Sequence, residues 1–139
     1  MKHPVIAGAI MFMATCLVAQ ETKVPAAARQ SFANIYPAAT HIKWEKADAD
    51  YEVKFMLGTR AILVTYDAAG VLKKTEALIE PAELPGTVMA YIKKHYKNMA
   101  VKDAAKITKA NGEVNYEAAV GKADLTFDQH GKLLKQVKD

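Results

Sequence analysis

The sequence predicts an α+β fold in which two tandem helix-plus-antiparallel-strand repeats share one sheet, with both helices packed on one face. Three observations support this prediction. The chain repeats itself with an offset of about 60 residues, each copy opens with a proline and apolar residues at helical spacing, and each copy has a short glycine turn between alternating strands. The 139 residues, 51% of them apolar, suit one compact domain.

Residues 1–19 have the layout of a secretory signal peptide. A basic start at Lys2 is followed by an uncharged apolar stretch, and the sequence turns polar at Gln20. A basic region, an apolar region and a small residue at the cut are typical of segments removed during export, so we predict cleavage after Ala19. The mature protein then spans residues 20–139 and is expected in the periplasm or outside the cell.

Cleavage at this point removes Cys16, the single cysteine of the chain. Disulfides, thiolate metal sites and a cysteine nucleophile are then excluded from the mature protein. An alternative is that Cys16 carries the lipid anchor of a bacterial lipoprotein, although Met13-Ala14-Thr15 is a poor match to the triplet that such processing prefers. No apolar run approaches the roughly 20 residues of a membrane-spanning helix, so no transmembrane segment is predicted.

The repeat divides the mature chain into two units, residues 24–76 and 84–137, which we assign to one domain. Five positions of the first unit recur 60 residues later in the second: Val24, Pro25, Ala28, Phe32 and Tyr36 correspond to Leu84, Pro85, Val88, Ile92 and Tyr96. A unit of about 55 residues buries too little surface to be stable alone. We therefore expect the two units to share one continuous sheet.

Each unit is predicted to begin with a helix. Pro25 suits the first helical turn, where a missing N–H costs nothing, as does the equivalent proline of the second unit. Apolar residues at positions 24, 28, 32, 35 and 36 define one buried stripe, and Pro37 ends the helix. In the strand that follows, Ile42 and Trp44 are both expected to face inward, and Trp44 is interpreted as a core anchor.

A hairpin follows in each unit. Two predicted strands flank the turn Gly58-Thr59, and Gly121-Lys122 occupies the equivalent place in the second unit. Each hairpin arm is two residues shorter in the second unit, and because side chains alternate with a period of two, every residue keeps its original face. Further Asp-to-Gly turns are predicted at 67–70 and 128–131, and neither supplies the additional carboxylates that a calcium site requires.

This pattern resembles the PepSY-like family of exported bacterial proteins, whose fold is likened to that of the beta-lactamase inhibitor protein. The residues that carry the resemblance are Val24-Pro25, Phe32, Tyr36-Pro37, Ile42-Lys43-Trp44, Tyr51-Glu52-Val53, Tyr66-Asp67 and Gly70. The resemblance covers residues 24–137 and implies the tandem fold and export, but no catalytic residues. The second unit departs from the pattern, because it lacks a counterpart of Trp44 and its stretch Ala104-Ala105-Lys106-Ile107 is only loosely strand-like.

Residues typical of catalysis or metal binding are sparse. The mature chain has one serine, on a predicted helix, and His41, His95 and His130 occur singly without ligand spacing. We predict no enzymatic activity, no catalytic residues, no metal site and no cofactor. Glu52 and Glu117 occupy equivalent strand positions and could pair as glycosidase carboxylates do, but both alternate with apolar neighbours and are interpreted as ordinary polar residues of the outer sheet face.

Positive charge is concentrated in the second unit. Six lysines give it a basic side: Lys93, Lys94, Lys97, Lys102, Lys106 and Lys109. These lysines lack the interleaved arginines and stacking aromatics of nucleic-acid-binding surfaces, and the export signal also argues against a nucleic-acid partner. A solvated helix explains most of this charge, and an anionic partner in the envelope is an alternative.

The resulting functional hypothesis is an exported, non-enzymatic binding module that recognises an envelope protein or peptide through its open sheet face or hairpin loops. The predicted binding residues are Glu52, Lys54, Met56, Arg60 and Glu117. Arg60 is expected at a projecting hairpin tip, where its planar fork could hold a partner carboxylate. The alternative hypothesis is a periplasmic regulator or inhibitor of a hydrolase, which rests on fold analogy.

Overall fold

The computed structural model describes residues 23–138, so the predicted signal peptide and Cys16 lie outside the described residues. In chain order the elements are helix α1 (Ala26–Ile35), strands β1 (Thr40–Ala47), β2 (Asp50–Leu57), β3 (Arg60–Tyr66) and β4 (Leu72–Ile79), helix α2 (Gly86–His95), and strands β5 (Val101–Lys109), β6 (Val114–Val120), β7 (Ala123–Asp128) and β8 (Leu133–Lys138). A short 3₁₀ turn, Pro81–Glu83, links β4 to α2. This order confirms the predicted α+β fold.

All eight strands form one antiparallel sheet, in which each strand pairs with the next in the sequence. The two units meet where β4 pairs with β5, with Glu76 opposite Ile107 and Leu78 opposite Ala105. The prediction of one continuous sheet is therefore confirmed. Within residues 23–138, no helix is long and apolar enough to cross a bilayer.

Both helices pack on the same face of the sheet, as predicted. Ala28 and Phe32 of α1 contact a cluster on β2 and β3, and Val88 and Ile92 of α2 contact a cluster on β5, β6 and β7. The register relates the two clusters through the row Phe55, Ile62, Ala77, Lys106, Tyr116 and Phe127, which crosses six strands on one face. The apolar core thus lies in two halves under the two helices.

Trp44 packs in the first half of this core, as the sequence indicated. Its ring lies 5.6 Å from that of Phe32, edge to face, and 6.1 Å from that of Tyr66. The prediction that Ile42 shares this face was wrong, because Ile42 is 49% exposed. The register shifts between Thr40 and Lys43, and this β-bulge breaks the alternation on which the prediction depended.

The helical stripe was also predicted one residue too wide. Ile35, at the end of α1, is 56% exposed, whereas Ala28 and Phe32 are buried. The helix ends at Ile35 and the backbone leaves helical geometry at Tyr36, which packs on the core in its place. A last helical residue three positions after Phe32 therefore faces solvent rather than the sheet.

The predicted turns are present. Gly58 and Gly121 open their hairpins with φ of +62° and +59°, in the left-handed region that glycine tolerates best. Asp67 Oδ1 accepts hydrogen bonds from the backbone N–H groups of Ala69 and Val71, at 2.8 and 3.0 Å. Asp128 makes the same pair of bonds to residues 130 and 132. Both aspartates are thus explained by turn geometry.

The stretch from Ala104 to Ile107, expected to be only loosely strand-like, lies inside the regular strand β5. Alanine has a weak intrinsic preference for strands. Pairing with β4 on one side and β6 on the other outweighs that preference and makes β5 a central strand. Ala104 and Ala105 are both fully buried, on opposite faces of the sheet.

Candidate functional site

The face of the sheet opposite the helices, called here the open face, carries the predicted binding residues of β2. Val53 and Phe55 point to the helix side, so the alternating residues Glu52, Lys54 and Met56 point to the open face. Glu117 reaches the same face, because the row from Met56 runs through Ala61, Leu78 and Ala105 to Glu117. The predicted orientations of these four residues agree with the register.

Part of the open face is apolar and well packed. Ala61 and Leu63 are buried there and form a small cluster with Met56 and Leu78. Leu63 keeps only 2% of its surface exposed although both helices lie on the other side of the sheet. Neighbouring side chains therefore cover the centre of this face, and the cluster forms an apolar strip across β2, β3 and β4.

Two carboxyl groups lie buried beside this strip. Glu76 on β4 is 2% exposed and Glu117 on β6 is 5% exposed. They flank β5, where Glu76 pairs with Ile107 and Glu117 pairs with Ala105. The interpretation of Glu117 as an ordinary polar surface residue was therefore wrong about its burial. Glu76 was missed entirely.

Burial dominates the chemistry of both carboxyl groups. It raises the pKa of Glu76 to about 7, with the charge of Glu52 adding to the rise and Lys74 opposing it. Burial likewise raises the pKa of Glu117 to about 8, reinforced by the negative charge of Glu76. At neutral pH, Glu117 therefore holds its proton most of the time and Glu76 about half the time.

Three of the buried oxygens on this face that accept no hydrogen bond from the described residues lie on the two strands that flank β5. They are Glu76 Oε1, Glu117 Oε2 and Asn115 Oδ1. Asn115 stands across β5 from Glu76, since both pair with Ile107. A buried polar atom left without a partner costs about 1–3 kcal/mol. We call Glu76, Asn115 and Glu117 the acceptor cluster.

Lys54 is less available than the sequence suggested. Its side chain is 12% exposed, and its ammonium group lies 3.2 Å from Glu45 Oε2. Partial burial raises the pKa of Glu45, but hydrogen bonds and charge from Lys54 and Lys43 outweigh this effect and the net pKa is lowered. Lys54 is thus a mostly covered side chain that forms an ion pair with Glu45 of β1. Its role toward a partner stays a prediction.

Arg60 already uses its planar fork inside the chain. Its guanidinium donates to both carboxylate oxygens of Glu83, at 3.2 and 2.9 Å, and to the Leu78 carbonyl oxygen at 3.0 Å. The hydrogen bond from Arg60 lowers the pKa of Glu83, and a bond from the Glu80 backbone adds to this effect. The hairpin tip is therefore tied to the linker rather than projecting freely. A partner carboxylate would have to displace Glu83.

A cavity of about 560 Å³ lies where this hairpin, the linker and the start of β5 meet. Met56, Arg60, Ala61 and Leu78 contribute to its lining. It continues the apolar strip of the open face toward the Arg60–Glu83 pair. Two of the predicted binding residues, Met56 and Arg60, are thus brought to one concave surface at the junction of the units.

The histidines do not form a metal site in the part of the chain that the structure describes. His41, His95 and His130 are all exposed. Among residues 23–138, no group of three or more His, Cys, Asp or Glu side chains is arranged to hold a metal ion. His95 stacks on Tyr91, with ring centroids 4.1 Å apart, so its ring is engaged by a neighbour on α2.

Comparison with protein families finds two tandem matches along this chain. The family described as "Putative beta-lactamase-inhibitor-like, PepSY-like" matches residues 17–74 and again residues 59–135. The two matches overlap at residues 59–74, and the second runs from the β2–β3 turn into β8. A search of curated proteins finds no match.

Solved structures share the whole fold. A protein of Bacteroides eggerthii, described as "putative periplasmic", superposes with a TM-score of 0.79 at 17% identity, covering 84% of this chain and 90% of that one. A BLIP-like protein of Bacteroides fragilis superposes with a TM-score of 0.73 at 25% identity, covering 85% and 88%. These likenesses establish the architecture, and they indicate no enzymatic family.

Proposed function

Since this chain belongs to the PepSY-like, beta-lactamase-inhibitor-like family, we propose that it is an exported, non-enzymatic binding module that recognises a protein or peptide through the open face of its sheet. The observation that carries this proposal is the composition of that face. An apolar strip lies beside polar groups that are buried without partners. Polar groups that are buried without a hydrogen-bond partner gain the most free energy when a binding partner supplies the missing donors.

The packing of the aromatic residues supports the choice of this face. Phe32, Tyr36, Trp44 and Phe55 contact one another between α1 and the sheet. They stabilise the core and are not presented to solvent as a binding cluster. The open face is the broad surface that the helices leave uncovered, and it carries Glu52, Lys54, Met56 and Glu117.

Export is the second part of the proposal. Residues 1–19 have the layout of a signal peptide. The Bacteroides eggerthii protein with the same fold is described as "putative periplasmic". We place the mature protein in the periplasm or outside the cell, and N-terminal sequencing of exported material would test this. A retained Met1 would contradict it, and a lipid-modified Cys16 would move the protein to a membrane anchor.

Site-specific photo-crosslinking in the native envelope tests the face. A photoreactive residue placed at Thr126 or at Met56 lies on the open face. The same residue at Ala90, an exposed position of α2, is the matched control. We expect a discrete adduct from Thr126 and Met56 and none from Ala90. Adducts from Ala90 alone, or equal adducts from all three positions, would refute binding through the open face.

Inhibition of a hydrolase is the second candidate, favoured by the name of the family. Here the partner would be the hydrolase itself, docked on the same face. Purified mature protein should then lower the turnover of an envelope hydrolase, and the photoreactive residue at Thr126 should crosslink to that enzyme. Crosslinking to a partner whose activity is unchanged would favour simple binding over inhibition.

A further inference from the structure

We infer that the acceptor cluster is a subsite for the positively charged side chain of a lysine or arginine in the protein partner. This inference rests on the proposed function and names the partner chemistry that the open face selects. The cluster consists of Glu76 on β4 and of Asn115 and Glu117 on β6. These two strands flank β5, which presents Ile107 and Ala105 between them.

The donor and acceptor balance points to a cation. Glu76 Oε1, Asn115 Oδ1 and Glu117 Oε2 are three buried acceptors for which residues 23–138 provide no donor. An ammonium group carries three donors and no acceptor, and a guanidinium carries five. Either group carries at least as many donors as there are oxygens in the cluster. When the carboxyl groups are ionised, a partner carboxylate or carbonyl adds only acceptors and leaves the three oxygens unsatisfied.

Each of the three oxygens is covered by neighbouring side chains in the free protein, so an incoming side chain has to move those neighbours aside to reach it. Opposite Glu117 the intervening strand presents Ala105, whose side chain is a single methyl group, and opposite Glu76 it presents Ile107. Leu78 nearby is partly exposed and offers apolar surface. The aliphatic stem of a lysine or arginine can pack on such surface while its charged end reaches the carboxyl groups.

Charge complementarity selects the same class of partner. Strands β4 to β7 bring five carboxyl groups to the open face but only two lysines: Glu76, Asp103, Glu117, Asp124 and Asp128 against Lys74 and Lys109. The whole chain nevertheless carries a net charge of +4. Above about pH 8, where Glu76 and Glu117 are ionised, this part of the open face carries more negative than positive groups and attracts cationic segments.

An organic cation fits better than a metal ion. Only two of the three acceptors are carboxyl groups, and among the described residues no arrangement of three metal-ligating side chains exists. Calcium requires six to eight oxygen ligands, with several carboxylates among them. The subsite offers fewer oxygen ligands than calcium requires. The three N–H donors of an ammonium group, by contrast, match the three acceptors of the cluster.

Binding of a cation is expected to be coupled to proton release. The carboxyl groups attract a cation only when ionised, so affinity should rise as the pH rises through the range in which Glu76 and Glu117 lose their protons. The charged groups that face them are Glu52 on β2, Lys74 on β4, Asp124 on β7 and Lys135 on β8. None of these four groups reverses the direction in which affinity changes with pH, because each is present in both the free and the bound protein.

The test begins with peptides selected by display on the full mature chain at about pH 8.5, and each selected peptide is then synthesised. We expect the selected peptides to contain a lysine or arginine whose replacement by norleucine or citrulline weakens binding at least tenfold. Glu117→Gln or Glu76→Gln should weaken binding by a similar factor. Combining the peptide change with the protein change should add little further loss, because both remove the same interaction.

Controls separate this inference from the proposed function. Asp48→Asn removes an exposed carboxylate at the turn between β1 and β2 and should leave peptide binding unchanged. Peptides that crosslink to Thr126 but bind the Glu76→Gln, Glu117→Gln double variant equally well would overturn the cation subsite while the proposed function stands. Peptides that bind elsewhere would refute the open face itself. Competition by free spermidine or calcium at the affinity of the peptides would refute a protein partner as the source of the cation.

Discussion

Replacing Glu117 with glutamine removes one ionisable group from the open face and keeps the size and shape of its side chain. The ordinary pKa of this group is 4.5, and burial together with the charge of Glu76 raises it to about 8 in the folded protein. Between these two values the folded state binds more protons than the unfolded state. Stability contributed by the protonated group is therefore lost as the pH rises through this range.

The magnitude follows from the linkage relation. Each pH unit inside the range changes the free energy of unfolding by about 1.4 kcal/mol for a fully shifted group. Between pH 5 and pH 7 we expect Glu117 to lower stability by about 2 kcal/mol, and Glu76, with its pKa raised to about 7, to lower it by a similar amount. In the Glu117→Gln variant, the free energy of unfolding should fall between pH 5 and pH 7 only by the amount due to Glu76.

The measured quantity is the difference in unfolding free energy between variant and wild type, compared at pH 5 and pH 7. It should shift by about 2 kcal/mol in favour of the variant at the higher pH. Urea unfolding followed by the fluorescence of Trp44, the chain's single tryptophan, provides both values. Glu45 and Glu83, whose pKa values are lowered, change their ionisation below this pH range. They therefore do not affect the comparison of unfolding free energies at pH 5 and pH 7.

Glu113→Gln provides the control for this prediction, because Glu113 is exposed and its pKa is lowered by its hydrogen bond with Lys109. Its unfolding free energy relative to wild type should be the same at pH 5 and pH 7. If the Glu117→Gln difference were also independent of pH, Glu117 would ionise as a solvated carboxylate. The burial on which the acceptor cluster depends would then be refuted.

Other predictions concern packing and the junction of the units. Trp44→Ala should destabilise the protein by about 2–3 kcal/mol, measured by urea unfolding followed by circular dichroism, because the half-buried ring packs on Phe32. Gly70→Ala should lower the melting temperature much more than Gly112→Ala. Both have positive φ, but a Cβ at Gly70 would lie 2.7 Å from the Ala27 carbonyl carbon, whereas one at Gly112 meets open space; equal losses would contradict this contact. Arg60→Lys should speed amide exchange in the linker as much as Arg60→Ala, because lysine cannot hold both oxygens of its partner, and protection preserved in the lysine variant would show that charge alone suffices. Residues 20–80 and 81–139 expressed separately should each lack a sharp thermal transition, since each exposes the β4–β5 edge, and a cooperative melt of either half would refute the shared sheet.

The fold could be predicted because the sequence repeats its own local signals. The turn at Gly58-Thr59 and its equivalent at Gly121-Lys122 specify hairpins, and their spacing fixes which residues share a face. Because both units show the same pattern, the strands and turns assigned in one unit support those assigned in the other. The failures are local. Ile42 was misplaced because a β-bulge adds a residue without any glycine or proline to mark it.

The acceptor cluster could not be predicted, because strand alternation indicates the face of a residue but not how well neighbours cover it. Glu76 sits in a strand whose other open-face residues, Lys74 and Leu78, look like an ordinary mixed surface. Its burial depends on Leu63 and Ile107, which come from strands paired on either side. That neighbourhood exists only once β4 and β5 join the two units.

The junction of the units therefore brings together both the stability and the binding chemistry of this protein. Pairing of β4 with β5 completes the sheet, and the same pairing buries Glu76 and places it across β5 from Asn115. Without this pairing Glu76 would lie on an edge strand, where water can satisfy its hydrogen bonds and its pKa is expected to be ordinary. The tandem arrangement thus creates polar groups that are costly in the free protein. We therefore expect a partner that supplies donors to recover this cost, and we expect binding to favour segments that carry a positive charge.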